Sequence, residues 1–279
     1  MDYIKLELNI NPKKPWTEII INDLAEIGFE SFTEEDSKLQ AYIPVNEFNK
    51  EEIDIIADRY KRESCEISFK KVVIPHQNWN ETWESDFSPV EVDKKLIIYA
   101  PFHDINTSEY EHSVVIQPQM SFGTGHHQTT YLLSKAILDL DIKNKSVLDV
   151  GTGTGILGIL AAKLGAKDIF GTDIETGACE NAVENIERNE VTNFTVKEGD
   201  IDVVPEQEFD IIFANINKNV LKAHLPSYSV RSHKDGLLLL SGFFESDISE
   251  LEEAAKKSKF NLHDSLTYET WAVMILKKL

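Results

Sequence analysis

The sequence predicts an α/β protein in two parts: a doubly wound parallel sheet finished by an antiparallel hairpin, preceded by a smaller α+β domain. Three observations predict it. Helix and strand signals alternate from about Thr129 onward, which implies repeated βα units on one parallel sheet. The stretch Ser146–Ala166, SVLDVGTGTGILGILAAKLGA, passes from an apolar strand through alternate glycines into apolar residues at helical spacing. The final stretch, FNLHDSLTYETWAVMILKK, carries two strand patterns with no helix between them, so it reads as an antiparallel hairpin on the sheet edge. With 279 residues, 42% of them hydrophobic, the chain can bury one good-sized core and a smaller second one.

In order, YIKLELNI alternates apolar and polar positions as a half-buried strand does. Pro15 then opens a helix through Ile19, Ile20, Leu24 and Ile27, closed by Gly28. Two short strands follow, near FESFTEE and KLQAYIPV, with Asp36–Ser37 as their turn. A helix over NKEEIDIIADRYKRE and a strand over CEISFKKVVIP complete a β-α-β-β-α-β order, the ferredoxin-like arrangement. From His76 to Pro89 the pattern breaks. Trp79, Trp83 and Phe87 recur there at steps of four, as one face of a short joining helix or as aromatic packing against a domain surface.

Strands are expected next at KKLIIYAP and SVVIQP, then a helix over TTYLLSKAILDL, the strand SVLDV, and a helix Ile156–Leu164 stopped by Gly165. DIFGTDI, FTVKEGD, FDIIFANI and GLLLLSGF read as further strands, with helices over GACENAVENIERN, near NVLKAHLPSYS and over Ile248–Lys257.

Composition narrows the function. The acid at Asp2 and the alternation after it give no secretory leader, and the longest apolar run is far below the ~20 residues of a membrane span, so a cytoplasmic protein without a membrane partner is expected. Cys65 and Cys179 lack metal or disulfide spacing. With 28 basic and 48 acidic residues the formal charge is −20, which repels nucleic-acid backbones and attracts a basic macromolecule, or else serves solubility alone.

In a doubly wound sheet the ligand lies beyond the carboxyl ends of the strands. Those ends deliver Asp149 with the turn Gly151, Gly153 and Gly155; Asp173, placed to accept from ribose hydroxyls; Asp200, for an adenine amino group or a turn; and Asn215, near the reacting end of the ligand or capping the next turn. Gly153, Gly155 and Gly158 also spell G-x-G-x-x-G, but that register starts too late after the strand for a dinucleotide fingerprint, and Asp149 would repel a pyrophosphate. S-adenosylmethionine, an adenosine compound without phosphate and with a positive sulfonium and amino group, suits the turn better. The loop SFGTGHHQTT, with Gly123 and Gly125, offers an anion site at a helix start for its carboxylate. Thr129 and Thr130 stand there as hydroxyl donors or as an N-cap, and His126 and His127 have no partners at metal spacing.

DVGTGTG followed by GTDI resembles the first two motifs of class I S-adenosylmethionine-dependent methyltransferases, whose sheet is Rossmann-like. FGTGHHQTT is similar to the F-G-T-G-T-H-P-T-T loop, and ANINKNVL to the A-N-I/L segment, of the ribosomal protein L11 methyltransferases, the PrmA family; NWNETWESDFSPVEV and the small first domain match its layout. The resemblance implies transfer of methyl groups to lysine side chains and the terminal α-amine of a basic ribosomal protein. It implies a substrate-recognition domain over 1–74, a linker over 75–90 and a methyltransferase domain over 91–279; a monomer is expected. Matched positions put cofactor contacts at Thr130, Gly151, Asp173 and Asn215, and the glycine turn adds Gly153. Asn215 is the candidate for orienting the amine. His126, Gln128 and Asn217 depart from the family pattern.

Rival readings are an NAD-dependent oxidoreductase, a methyltransferase acting on another protein, and a non-catalytic binding protein. Methyltransferases of adenine or of release-factor glutamine carry N/D-P-P-Y at the end of the fourth strand, where this chain has Asn215-Ile216-Asn217-Lys218.

Overall fold

The computed structural model describes residues 2–35, 38–74, 87–119 and 121–279, and the chain divides into two compact units, Met1–Asp86 and Phe87–Leu279. The turn expected at Asp36–Ser37 and the joint residues Trp79 and Trp83 lie outside the described residues.

In the first unit β1 (Tyr3–Asn11), α1 (Trp16–Glu26), β2 (Ser31–Glu35), β3 (Lys38–Pro44), α2 (Lys50–Lys61) and β4 (Glu66–Ile74) follow in the expected order. The strands lie side by side as β2-β3-β1-β4, and each neighbouring pair is antiparallel. Alternation along β1 sends Ile4, Leu6, Leu8 and Ile10 to one face, where they pack with Ile20 and Leu24 of α1 and Ile53, Ile56 and Tyr60 of α2. Asn49 caps α2 by accepting the Glu51 N–H.

The second unit opens with a small sheet of β5 (Val90–Val92), β6 (Leu96–Tyr99) and β7 (His112–Val115). The sequence did not announce β5, because two valines around one glutamate are too short an alternation to register, and Val90 falls in the stretch expected as linker. After α3 (Gln128–Leu138) come β8 (Ser146–Val150), α4 (Ile156–Lys163), β9 (Asp168–Asp173), α5 (Thr176–Arg188), β10 (Phe194–Glu198), β11 (Phe209–Asn215), α6 (Lys218–Val230), β12 (Ser232–Phe244), α7 (Ile248–Lys257), β13 (Phe260–Tyr268) and β14 (Trp271–Lys278).

Their sheet runs β10-β9-β8-β11-β12-β14-β13, parallel as far as β12 and antiparallel beyond it. Both faces are covered. Val147, Ile211, Phe213, Leu239 and Val273 pack toward α3 and α4, while Leu148, Ile212, Leu238, Leu240 and Met274 pack toward α6 and α7. Burial on both faces is why these strands read as continuous apolar runs. The winding reverses between β8 and β11, so a crevice opens beyond their carboxyl ends. No helix among the described residues is long and apolar enough to cross a membrane.

Candidate functional site

A cavity of about 510 Å³ occupies that crevice, a size suited to a nucleoside-scale ligand. Gly151, Gly153, Asp173, Asp200 and Asn215, all chosen from the sequence, line it together with Phe122, Ile174, Glu175, Val220 and His224. Its described lining holds three carboxylates, Asp173, Glu175 and Asp200, and no lysine or arginine.

The turn after β8 requires glycine. Gly151 and Gly153 have φ of +73° and +55°, and a Cβ would come within 2.3 Å of Ile216 Cγ2 at the first and 2.2 Å of the Phe122 carbonyl oxygen at the second. The turn's amides are already committed. Gly151 and Thr152 donate to the Thr172 carbonyl, Thr154 to that of Phe122 and Gly155 to that of Thr152. Gly153 N–H donates to Asp173 Oδ2 at 2.9 Å, and Gly158 N–H to Asp149 Oδ2 at 3.3 Å. A pyrophosphate is held by such amides when they are free; here they are spent.

Asp149 does not line the cavity. It is fully buried, with Oδ2 accepting from Thr152 Oγ1 at 2.7 Å and Oδ1 unpartnered, and burial pushes its carboxyl up to about 6 against the hydrogen bonds from Thr152 and Gly158. It braces the turn from inside the core, which corrects its reading as a charge facing the ligand. Asp173 accepts Gly153 N–H on Oδ2 and Glu175 N–H on Oδ1, which leaves lone pairs on both oxygens for a ligand donor. Asp200 caps the turn after β10 by accepting Asp202 N–H on Oδ1 while also lining the cavity, so both roles foreseen for it are compatible.

Asn215 resolves differently. The cap of α6 is Asn217, whose Oδ1 accepts Asn219 N–H at 3.0 Å, whereas Asn215 Oδ1 is buried with no partner. An orphaned buried acceptor costs stability, and among the orphaned atoms of the described residues Asn215 Oδ1 belongs to a residue that lines the cavity.

Thr130 lies outside the cavity lining, fully buried in the first turn of α3 with an unpartnered Oγ1. Neither threonine caps that helix. His127 does, its Nδ1 accepting Thr129 N–H at 3.3 Å, and burial holds its imidazole below the usual range. The departures from the family pattern have local partners too: His126 Nε2 lies 2.7 Å from the Ser88 carbonyl oxygen and Gln128 Nε2 donates to Glu269 at 2.7 Å. The loop before α3 reaches the site through Phe122, held by the Thr154 amide and by Thr154 Oγ1 donating to the Gly123 carbonyl at 2.5 Å.

One set of residues escaped sequence reasoning. Asn181 and Asn185 on the buried face of α5, and Asn189 at its carboxyl-terminal cap, recur every fourth residue and bond the segment leading from β7 to Phe122. Asn189 Oδ1 accepts Val115 N–H, Asn185 Oδ1 accepts Gln117 N–H, and Asn181 Nδ2 donates to the Gln117 carbonyl. Asn185 Nδ2 also donates to the Thr154 carbonyl, tying that segment to the glycine turn. The signal available was asparagine at i, i+4 and i+8 on a helix whose buried side would otherwise be apolar.

The model of the family described as ribosomal protein L11 methyltransferase (PrmA) matches residues 11–279. The chain belongs to this family. A ribosomal protein L11 methyltransferase of Porphyromonas gingivalis is 38% identical over 259 residues, covering 92% of this chain and 89% of the relative. That of Phocaeicola vulgatus is 35% identical over 277 residues, covering 98% of each. A crystal structure of a ribosomal protein L11 methylase from Lactobacillus delbrueckii subsp. bulgaricus superposes with a TM-score of 0.65 at 27% identity, covering 69% of this chain and 100% of that one. This PrmA-family chain is therefore a methyltransferase, with S-adenosylmethionine as its methyl donor.

The cavity fits that donor. Its walls give the exposed apolar side chains of Ile174 and Val220 for a flat base, the Asp173 carboxylate for a sugar, acidic surroundings for positive groups, and no free amide cradle for phosphate.

Proposed function

We propose that the enzyme methylates amino groups, lysine side chains and the terminal α-amine, of the large-subunit ribosomal protein L11. The observation carrying this reading is the site's donor and acceptor balance: turn amides spent, carboxylates around the cavity, and Asn215 Oδ1 left without a partner.

Asp173 accepts hydrogen bonds from the ribose hydroxyls, Asp200 from the adenine amino group, and Gly151 and Gly153 allow close approach; Thr130 is assigned by family resemblance. When bound, S-adenosylmethionine supplies a methyl group on a positive sulfur that departs as a thioether. The accepting nitrogen must present a lone pair. For lysine, deprotonation at pH 7 costs about 4.6 kcal/mol, and for an α-amine about 1 kcal/mol. Desolvation of the ammonium in the cavity lowers that cost. Asn215 Oδ1 then accepts one N–H of the amine and fixes the direction of its lone pair, so that most of the remaining work is alignment.

The residues before about 75 form the unit that recognises the substrate. The charge of −20 steers a basic protein toward a monomeric cytoplasmic enzyme and keeps nucleic acid away, an effect that fades as salt rises. The spent amides and acidic lining disfavour the NAD reading.

The test is transfer of labelled methyl groups from S-adenosylmethionine to purified ribosomal protein L11, with S-adenosylhomocysteine affinity measured by calorimetry. Labelled lysine and amino-terminal residues are expected, together with roughly a tenfold or greater loss of affinity in Asp173→Ala, the scale of a charge-assisted hydrogen bond. In Asn215→Ala, turnover is expected to fall while the folded protein keeps its stability. Unlabelled substrate, or wild-type affinity in Asp173→Ala, overturns the assignment.

A further inference from the structure

A wall of aromatic rings leads away from the cavity. Phe122, which lines the cavity, packs against His127 with ring centroids 5.0 Å apart; His127 meets Trp271 edge-on at 4.7 Å; and Trp271 meets Phe244 at 4.5 Å. Tyr131 and Tyr268 form a second pair at 5.5 Å, with Tyr268 opposite Trp271 across the β13–β14 turn. The wall stands at the same end of the sheet as the site, since Asn215 is paired with Ser241 and Phe244 follows three residues later, paired with Trp271.

Phe122, Phe244 and Tyr268 remain 52%, 46% and 49% exposed. An isolated exposed ring needs no explanation, but a contiguous aromatic patch that begins inside a binding cavity marks an interaction surface. Its electrostatics select the visitor. Ring faces are negative and attract cations. Glu245 beside Phe244 and Glu269 in the β13–β14 turn are exposed carboxylates, and Lys218 nearby in sequence to the site is neutralised by Asp247 and Glu250. Partial burial holds the imidazole of His127 below its usual pKa, so at pH 7 it adds a ring without a repelling charge.

We propose that the rings of Phe122, His127, Trp271 and Phe244 form the docking surface for the acceptor lysine, holding its ammonium head and the methylated forms of that head beside the cavity. This rests on the methyltransferase reading above and adds the place of the acceptor to it. Asn215 can hold the amine only through an N–H, and each transfer removes one. Attraction to a ring face needs no N–H and survives full methylation. The wall thus retains a partly methylated side chain between successive transfers.

The experiment compares two probes by NMR titration of the full chain saturated with S-adenosylhomocysteine: Nα-acetyl-Nε-trimethyllysine amide and its neutral isostere with carbon in place of the quaternary nitrogen. The charged probe is expected to bind about fivefold or more tightly than the neutral one, the range of a partly desolvated cation–π contact. Phe244→Leu, which keeps the backbone bond from Phe244 N–H to Asp247, is expected to reduce that ratio below about twofold and to raise KM for ribosomal protein L11 about fivefold, with S-adenosylhomocysteine affinity unchanged. Phe244→Tyr is expected to restore both. Should Phe244→Leu not fold, Phe244→Met, which also removes the ring but adapts to the space left, is read in the same way.

Equal binding of the two probes, or a leucine variant with wild-type discrimination and KM, overturns the proposal. A leucine variant whose melting temperature falls while its kinetics do not change also overturns it, because the wall is then a packing surface within the chain. A wild type that transfers no methyl to ribosomal protein L11 overturns the reading beneath, and the probe titration still decides the wall separately.

Discussion

The interior of the amino-terminal unit is Ile4, Leu6, Leu8, Ile20, Leu24, Ile53 and similar side chains, with Gln40 its one buried non-aromatic polar group among the described residues. The interior of the carboxyl-terminal unit, near the glycine turn, buries Asp149, Thr152, Thr154, Thr172, Asn181 and Asn185. The first interior needs only volume and alternation, which many sequences satisfy. The second carries polar groups whose desolvation is unfavourable unless partners are fixed in place. Where a fold tolerates that, the polar groups shape a ligand site.

The sharpest way to break this contrast is Gly153→Ala. A Cβ at φ +55° would meet the Phe122 carbonyl oxygen at 2.2 Å, so stability should fall by about 4 kcal/mol and the melting shift produced by S-adenosylhomocysteine should vanish. An intact shift in this variant would show that the turn is not part of the binding surface. Leu6→Ala, at a fully buried position in the other unit, should cost about 3 kcal/mol in urea unfolding yet leave S-adenosylhomocysteine affinity at the wild-type value. A loss of affinity there would erase the distinction between the units.

Asp149→Asn gives the smallest expected change, and its sign is opposite. Because burial raises this carboxyl from 3.8 to about 6, the folded protein binds a proton that the unfolded chain releases at lower pH. The contribution is fully present below 3.8 and is lost as pH rises through about 6. Asparagine has no charge to desolvate and its carbonyl oxygen can accept from Thr152 and Gly158 as Oδ2 does. The variant should be about 2 kcal/mol more stable than wild type at pH 7.5 and show no advantage at pH 4, measured by urea unfolding without ligand. Equal pH profiles would remove the buried charge from the account.

Much of the architecture was legible because it rests on period and punctuation. Alternation marked β1, apolar runs marked β8 and β11, and glycine spacing marked the turn that now lines the cavity. The terminal hairpin was legible as well, but which of its strands pairs with β12 lay in subtler information: AVMIL in β14 is apolar on both faces, as an internal strand must be, while FNLHDSLT in β13 is mixed, as an edge strand is. Other features were hidden for physical reasons. Histidine is an unusual helix cap, so His127 passed behind Thr129 and Thr130. Asp149 reads from sequence as an acid beside a ligand, and only the packing around it shows that it faces inward. The asparagines of α5 look like an ordinary polar stripe until their partners, backbone groups 64 to 74 residues away, are in view.

Those asparagines have an evolutionary corollary. The path of residues 115–117 toward Phe122 leaves β6 at Ile116, whose N–H donates to the Tyr99 carbonyl, and is otherwise held by asparagine side chains of α5 and its carboxyl-terminal cap. A few codon changes there can redirect the path beyond β7 while every rung of the main sheet stays in place. Descendants of this fold can therefore try new loop trajectories above an unaltered methyl-donor site, and acceptor preference can drift independently of the catalytic platform.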